Sequence, residues 1–458
     1  MAPFVARFSP APTGFLHVGS ARTALFNWLA ARNVGGELKL RVEDTNAALY
    51  KPEYLDSILG TLEWLGVGFD GDPVFQSQRA DMYREAIDGL IASGHAYHCD
   101  CTQEDVQART KGNQTPGYDG YCRDRGLTSG AVRFRVPDAG TTEFDDVVRG
   151  HVSFEHAALT DFVIQRGDGS ATFFLPNAVD DVDMGVTHVI RGEDLINVTP
   201  NVLLLREALG VTERPVFAHL PLLVNDKRKK LSKRRDDVSV ESYRDRGYLP
   251  EAFANYLAVL GWGPADGVEI RPMREIVELF RLEDVVPSPA FFDVQKLDHF
   301  NGEYIRAMTA EEFTARAAPW LGEEVATSAA WQRMAPLVQE RVVTLAEAKP
   351  MVDFLFGEPV IDEASWEKVM VKGPNAAEVL QRARVAYLEC VWDASTLHEV
   401  TLAVGEELGM KLGKAQAPIR VAVTGRTVGP PLFESLEVLG REQTLARIDR
   451  ALGRLGSG

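Results

Sequence analysis

The sequence predicts a multidomain α/β protein: a doubly wound parallel sheet, an inserted α+β domain and a C-terminal α-helical bundle. Three observations predict it. The N-terminal segment alternates strand-like and helix-like stretches, a cysteine-bearing stretch over about 98–175 breaks that rhythm, and the last third shows helical periodicity alone. At 458 residues the chain holds about three domains' worth of material. Phe4 to Phe8 is a short apolar run closed by the Pro/Gly-rich turn Ser9 to Gly14, and from Val18 onward Ala21, Leu25, Trp28 and Leu29 recur at helical spacing. Gly35 and Gly36 stop that helix, and Glu37 to Asp44 alternates with period two before another helix opens near Pro52. Strand, helix, strand in that order is a Rossmann-like beginning, and such sheets bind ligands beyond the carboxyl ends of their strands.

The remaining elements follow the same logic. Residues 1–97 are expected to form the first half of the sheet domain and 98–175 an insertion with short strand candidates such as Ala131 to Val136. Residues 176–238 return to the α/β pattern with His188 to Gly192, a helix around Asn201 to Leu209 and the apolar run Val216 to Val224. From 239 the chain reads as helical, with 239–320 a connecting region and 321–458 a bundle. Trp331, Met334, Val338, Val342 and Leu345 are predicted to share one helical face, and Ala376 to Val391 and Val400 to Leu412 repeat the pattern.

Composition excludes several classes. With 45% apolar and 25% charged residues, and 39 Gly and 24 Pro in no short period, the chain is not collagen-like, a long coiled coil or wholly disordered. A net charge of -17, from 49 basic and 66 acidic residues, argues against nucleic-acid binding through global charge but leaves room for local basic patches. No apolar run approaches the roughly eighteen residues of a membrane span. Pro3, Arg7, Pro10 and Pro12 stand where a signal peptide needs an apolar core, so a cytoplasmic protein is expected. Of four cysteines, Cys99, Cys101 and Cys122 cluster while Cys390 stands alone, a spacing that suits a metal site better than a disulfide framework.

Two motifs carry chemistry. PTGFLHVGS, Pro12 to Ser20, lies between the first strand and the first helix, where small residues allow a nucleotide to approach helix N–H groups and His17 can hydrogen-bond phosphate. It is neither a P-loop nor a dinucleotide fingerprint. KLSKR, Lys230 to Arg234, sits within Lys227 to Arg235, where seven of nine residues are basic, directly after the apolar run. That order places its lysines on a loop at the carboxyl edge of the sheet that bears His17. There they could neutralise charge developing on a triphosphate, each contact being worth about 10²–10³ in rate.

HVGS and KLSKR, some 210 residues apart, resemble the paired signatures of class I aminoacyl-tRNA synthetases. The blocks RFSPAPTGFLHVGSARTALFNWLAAR, RVEDTN, YDGYCR, VDDVDMGVTHVIRGEDL, SPAFFDVQKLDHFNGEYI and RVAVTGRTVGPPLFE narrow the resemblance to bacterial-type glutamyl-tRNA synthetases over nearly the whole chain. The resemblance implies that glutamate and ATP, the latter with Mg²⁺, give glutamyl-adenylate, and that the acyl group passes to the 3′-terminal ribose of tRNA(Glu). Charging of tRNA(Gln) is left open, and a monomer is expected. It further implies an acceptor-binding role for 98–175, stem contacts for 239–320 and anticodon binding for 321–458. His17, Lys230 and Lys233 are the implied catalytic residues, with Thr13, Gly14, Gly19, Asp194 and Ser232 also around ATP. Arg7 and Arg191 would face the substrate side-chain carboxylate, Glu43 would hold the amino group, and Ser9, Phe173 and Asn177 would line the same pocket.

Three positions depart from the family pattern. SPAP replaces APSP, so the pocket hydroxyl is Ser9 and Ala11 takes the usual serine position; Phe173 replaces a frequent tyrosine; and Asn46 replaces the aspartate of EDTD. Zinc-bearing members place a histidine two residues after the third cysteine, where this chain has Asp124, and Tyr118 is the alternative fourth ligand, as in related truncated enzymes. Two rival readings fit the sequence less well. A tRNA-modifying glutamyl transferase would lack the roughly 140 helical residues at the C-terminus, and an RNA-binding protein with a decayed site would lack HVGS or the lysine loop.

Overall fold

The computed structural model describes residues 3–46, 48–112, 117–231 and 238–456. The chain forms two compact units, Met1–Ser242 with Pro250–Val294, and Tyr243–Leu249 with Gln295–Gly458.

In the first unit the chain runs β1 (Val5–Phe8), α1 (Val18–Asn33), β2 (Glu37–Val42), α2 (Pro52–Trp64), β3 (Val74–Phe75) and α3 (Ala80–Ala92). It continues with β4 (Ala96–Cys99), α4 (Gln103–Thr110), β5 (Ala131–Phe134), β6 (Thr141–Asp146), β7 (Gly150–Glu155) and β8 (Val163–Gln165). Then come α5 (Phe174–Asp183), β9 (His188–Gly192), α6 (Thr199–Ala208) and β10 (Val216–Leu220). The main sheet has the order β3-β2-β1-β9-β10-β6-β7, parallel except for the β6–β7 hairpin. All four residues of β1 are buried, as in a strand covered on both faces. Gly36 permits the tight return into β2, because a Cβ there would lie 2.5 Å from the Phe4 carbonyl oxygen.

The stretch 98–175 divides between two sheets. β4, β5 and β8 form a separate three-stranded antiparallel sheet, whereas β6 and β7 extend the main one, β6 pairing in parallel with β10. Alternation in β6, with Thr142, Phe144 and Asp146 buried, gives it one face to lay on that core. The apolar run Val216 to Val224 also divides. Pro221, which has no N–H, ends the ladder at Leu220, and Leu223–Val224 pairs instead with Ala290–Phe291.

The second unit is helical. Trp366, Val379, Leu380, Tyr387, Ile419, Leu436 and Ile448 share one core, and Tyr387 Oη is paired with Thr401 Oγ1. Trp331, Met334 and Val338 lie on the helix Ala329–Gln339; Val342 and Leu345 fall beyond its end yet are equally buried. No helix among the described residues is long and apolar enough to cross a membrane.

Candidate active site

At the carboxyl edge of the parallel strands lies a cavity of about 520 Å³. β1 delivers Arg7 and the following loop Ser9, the end of β2 leads to Glu43, α5 supplies Asn177 with Phe173 beside it, and β9 carries Arg191 one residue before its end. His17, Gly19, Asp194 and Lys230 line the same space, so ten of the residues singled out in the sequence meet here. Thr13 and Gly14 lie on the preceding loop, outside this lining. Ser232 and Lys233 fall outside the described residues. Both described ends of their loop, Leu231 and Val238, line the cavity, and Val238 O accepts from Val18 N at 2.9 Å, tying that end to the start of α1.

His17 differs from the expectation of open helix N–H groups. Its Nδ1 accepts from Gly19 N at 3.1 Å and Ser20 N at 3.2 Å, capping α1 itself. An accepting Nδ1 puts the proton on Nε2, which faces Ser20 Oγ at 3.1 Å. The ring thus carries the helix terminus outward and presents one N–H donor. Lys230 Nζ pairs with Asp194 Oδ2 at 2.9 Å, both side chains more than half exposed.

The pocket end is dominated by buried charge. Asp181 Oδ1 accepts from Arg7 Nε at 3.1 Å and from Arg41 Nη1; Arg41 Nη2 also donates to Asn177 Oδ1 at 2.6 Å and Glu43 Oε1 at 3.3 Å. Burial alone would raise the Asp181 carboxyl, but the Arg7 and Arg41 charges outweigh it and hold the group at about 2. Arg191 has no such partner: its Nε donates to His219 Nε2 at 3.1 Å and its Nη2 to Thr199 Oγ1 at 2.8 Å. Burial, aided by the Arg7 charge, pulls its guanidinium down to about 9. Burial pushes the Glu43 carboxyl up despite Arg41 and Arg7. Ser9 Oγ is buried with no hydrogen-bond partner among the described residues. Arg41, Asp181 and His219 were not singled out in the sequence; for Arg41 and His219 a polar side chain inside an apolar strand was the available signal, whereas Asp181 lies on α5.

Residues 3–299 match the family model for the catalytic domain of class I tRNA synthetases (E and Q), and residues 312–452 match that for an anticodon binding domain. The chain is 54% identical to the glutamate–tRNA ligase of Frankia casuarinae, covering 99% of this chain and 98% of that one. The chain belongs to the glutamate–tRNA ligases. The relative from Thermobifida fusca is 53% identical, with 98% and 97% covered. A solved glutamate tRNA ligase from Elizabethkingia meningosepticum, in complex with its amino acid, superposes with a TM-score of 0.83 at 30% identity over 99% of each chain.

The cysteine spacing and the family resemblance both point to zinc at the cysteine cluster. The Cys99, Cys101 and Cys122 sulfurs lie within 4.8 Å of one another. Arg133, Arg109 and Arg125 donate to them at 3.2, 3.3 and 3.3 Å respectively. Burial opposes ionisation of Cys99 but the Arg133 contact outweighs it and lowers that thiol, whereas burial and the Cys122 sulfur push the Cys101 thiol up. Tyr118 Oη is 3.6 Å from Cys99 Sγ and accepts from Cys122 N at 2.7 Å. Asp124 is not brought to the sulfurs: its carboxylate is exposed and paired with Arg135 at 2.7 Å. The soft donor set fits zinc, and of the two fourth ligands expected from the sequence Tyr118 lies beside the sulfurs while Asp124 does not.

Proposed function

We propose that this chain activates L-glutamate with ATP to glutamyl-adenylate and transfers the acyl group to the 3′-terminal ribose of tRNA(Glu), releasing AMP and diphosphate. One observation carries the reading. A single cavity holds a guanidinium pulled down and a carboxyl pushed up, Arg191 and Glu43, each perturbed in the direction that a ligand of opposite charge relieves. Glutamate brings a side-chain carboxylate to Arg191 and Arg7 and an ammonium to Glu43. Glutamine would meet Arg191 donor to donor, which gives discrimination. Ser9, Asn177 and Phe173 complete the pocket.

The substrate carboxylate is itself the nucleophile, so the enzyme's part is positioning and neutralisation of charge. His17 Nε2–H and Lys230 lie at the nucleotide end with Gly19 and Asp194, and Thr13, Gly14, Ser232 and Lys233 complete the ATP side. Mg²⁺ bound with ATP would supply charge that screens the phosphates. Bound zinc would be structural, held by Cys99, Cys101, Cys122 and Tyr118 in place of Asp124. The acceptor end would meet 98–175, the stem 239–320 and the anticodon 321–458, in a cytoplasmic enzyme acting as a monomer. Aminoacylation with [¹⁴C]glutamate on purified tRNA(Glu) and tRNA(Gln), side by side, tests the reading. Charging of tRNA(Glu) is expected, failure to charge either tRNA overturns it, and the tRNA(Gln) arm decides whether a second acceptor is used.

A further inference from the structure

Arg191, His219 and Asp146 stand in a row across three adjacent parallel strands. β9 and β10 pair with Arg191 opposite His219, and β10 pairs with β6 next to Asp146, the last residue of its strand. Such a row is costly unless it does something: His219 is fully buried, Asp146 3% exposed and Arg191 6%.

Hydrogen-bond chemistry fixes the protons. A guanidinium only donates, so His219 Nε2, 3.1 Å from Arg191 Nε, must present a lone pair. The imidazole proton then sits on Nδ1 and is donated to Asp146 Oδ2 at 2.6 Å. Asp146 is in turn fixed as an acceptor by backbone. Its Oδ1 receives Val148 N at 3.0 Å and Arg149 N at 2.8 Å, and its Oδ2 receives His219 N at 3.0 Å. Thr199 Oγ1 takes the Nη2 side of the guanidinium at 2.8 Å.

We propose that Asp146 and His219 are positioning residues that lock one imidazole tautomer beneath Arg191, so that the guanidinium is aimed by a neutral acceptor and keeps its charge for the substrate's side-chain carboxylate. The contrast with the opposite wall gives the reason. Arg7 and Arg41 are held by Asp181 and share its negative charge. A carboxylate at position 219 would neutralise Arg191 in the same way, and an imidazolium would repel it; only a neutral imidazole with its lone pair on Nε2 orients the guanidinium while leaving the charge uncompensated. Nη1 makes no hydrogen bond among the described residues, which leaves a donor to meet an incoming oxygen. The inference rests on the reading that Arg191 faces the glutamate side chain.

Steady-state tRNA(Glu) charging by the full chain, with glutamate and ATP varied separately, tests it. In D146N, Oδ1 stays on the two backbone N–H groups and the amide nitrogen replaces Oδ2. It donates to Nδ1 and moves the ring proton to Nε2, against Arg191. The KM for glutamate is expected to rise about 10- to 100-fold, as for loss of an orienting partner, with the KM for ATP within about twofold. H219Q, whose amide oxygen can occupy the Nε2 position, is expected to recover most of that loss, whereas H219L is not. Melting curves confirm folding, and D146N and H219Q suffice if H219L does not fold. Equal effects on both KM values, or a glutamate KM unchanged in D146N, would overturn the tautomer role. R191A is the separate control: if it leaves the glutamate KM unchanged, the assignment of the pocket fails instead.

Discussion

Asp181 shows how one side chain sets the polarity of a pocket. It is buried, it binds Arg7 and Arg41 together, and through Arg41 it orders Asn177 and Glu43. Its carboxyl is held at about 2, below the ordinary value, so its contribution to stability is complete above about pH 4 and is lost as pH falls through 2. Replacing it by asparagine removes the carboxylate paired with buried Arg7 and leaves Arg41 with Glu43 alone, a loss of about 3–5 kcal/mol near neutrality. Urea unfolding should show that gap between wild type and D181N narrowing from pH 5 to pH 3; a gap independent of pH would mean that Asp181 is not ionised in the folded protein.

At the scale of elements, the start of α1 has a specific requirement. A Cβ on Gly19 would lie 3.1 Å from the His17 ring, so alanine must push that ring while giving the helix a better helix former. The two effects separate. G19A should keep or raise Tm while kcat/KM for ATP falls about tenfold, a loss consistent with a small displacement of a positioned donor. A parallel loss of Tm and activity would show damage to the helix instead. In the small sheet, zinc binding should depend on β4 and the turn at Tyr118–Cys122. Elemental analysis should find about one zinc in the wild type and none in C99S. Y118F should weaken retention against a chelator about 10- to 100-fold while D124N should not; the reverse ranking would restore Asp124 as the fourth ligand.

For the whole molecule, the first unit ends at Val294, and Phe313 packs on Trp331 with ring centroids 5.9 Å apart, so a cut near residue 320 would bare that contact. A chain ending at 294 keeps His17, Arg191 and Lys230. With a net charge of -17, tRNA affinity must come from several local patches, and losing a distant one should be felt strongly. The fragment should charge tRNA(Glu) poorly, chiefly through a KM for tRNA raised at least about tenfold, and should respond little to anticodon mutations. Charging kinetics on wild-type and anticodon-mutated tRNA(Glu) decide this. Full discrimination by the fragment would place anticodon recognition within the first unit.

Much of this protein is legible in one dimension because its signals are local. Helical spacing from Val18, the Gly35–Gly36 stop and the alternation of Glu37 to Val42 are short-range patterns, and α1 and β2 follow them. The two signature motifs and the blocks between them were enough to point to the family. Tertiary structure decided what depends on distant partners. It set β6 beside β10, turned His17 back onto its own helix and took Asp124 away from the sulfurs. It also divided the pocket's arginines between a charged and a neutral support, giving Arg7 and Arg41 to Asp181 and Arg191 to His219. An arginine reads the same in sequence whichever support it has. Its usable charge depends on which group, from a strand or helix far along the chain, is buried against it, because in a dry interior a neighbouring carboxylate neutralises what a neighbouring lone pair only orients.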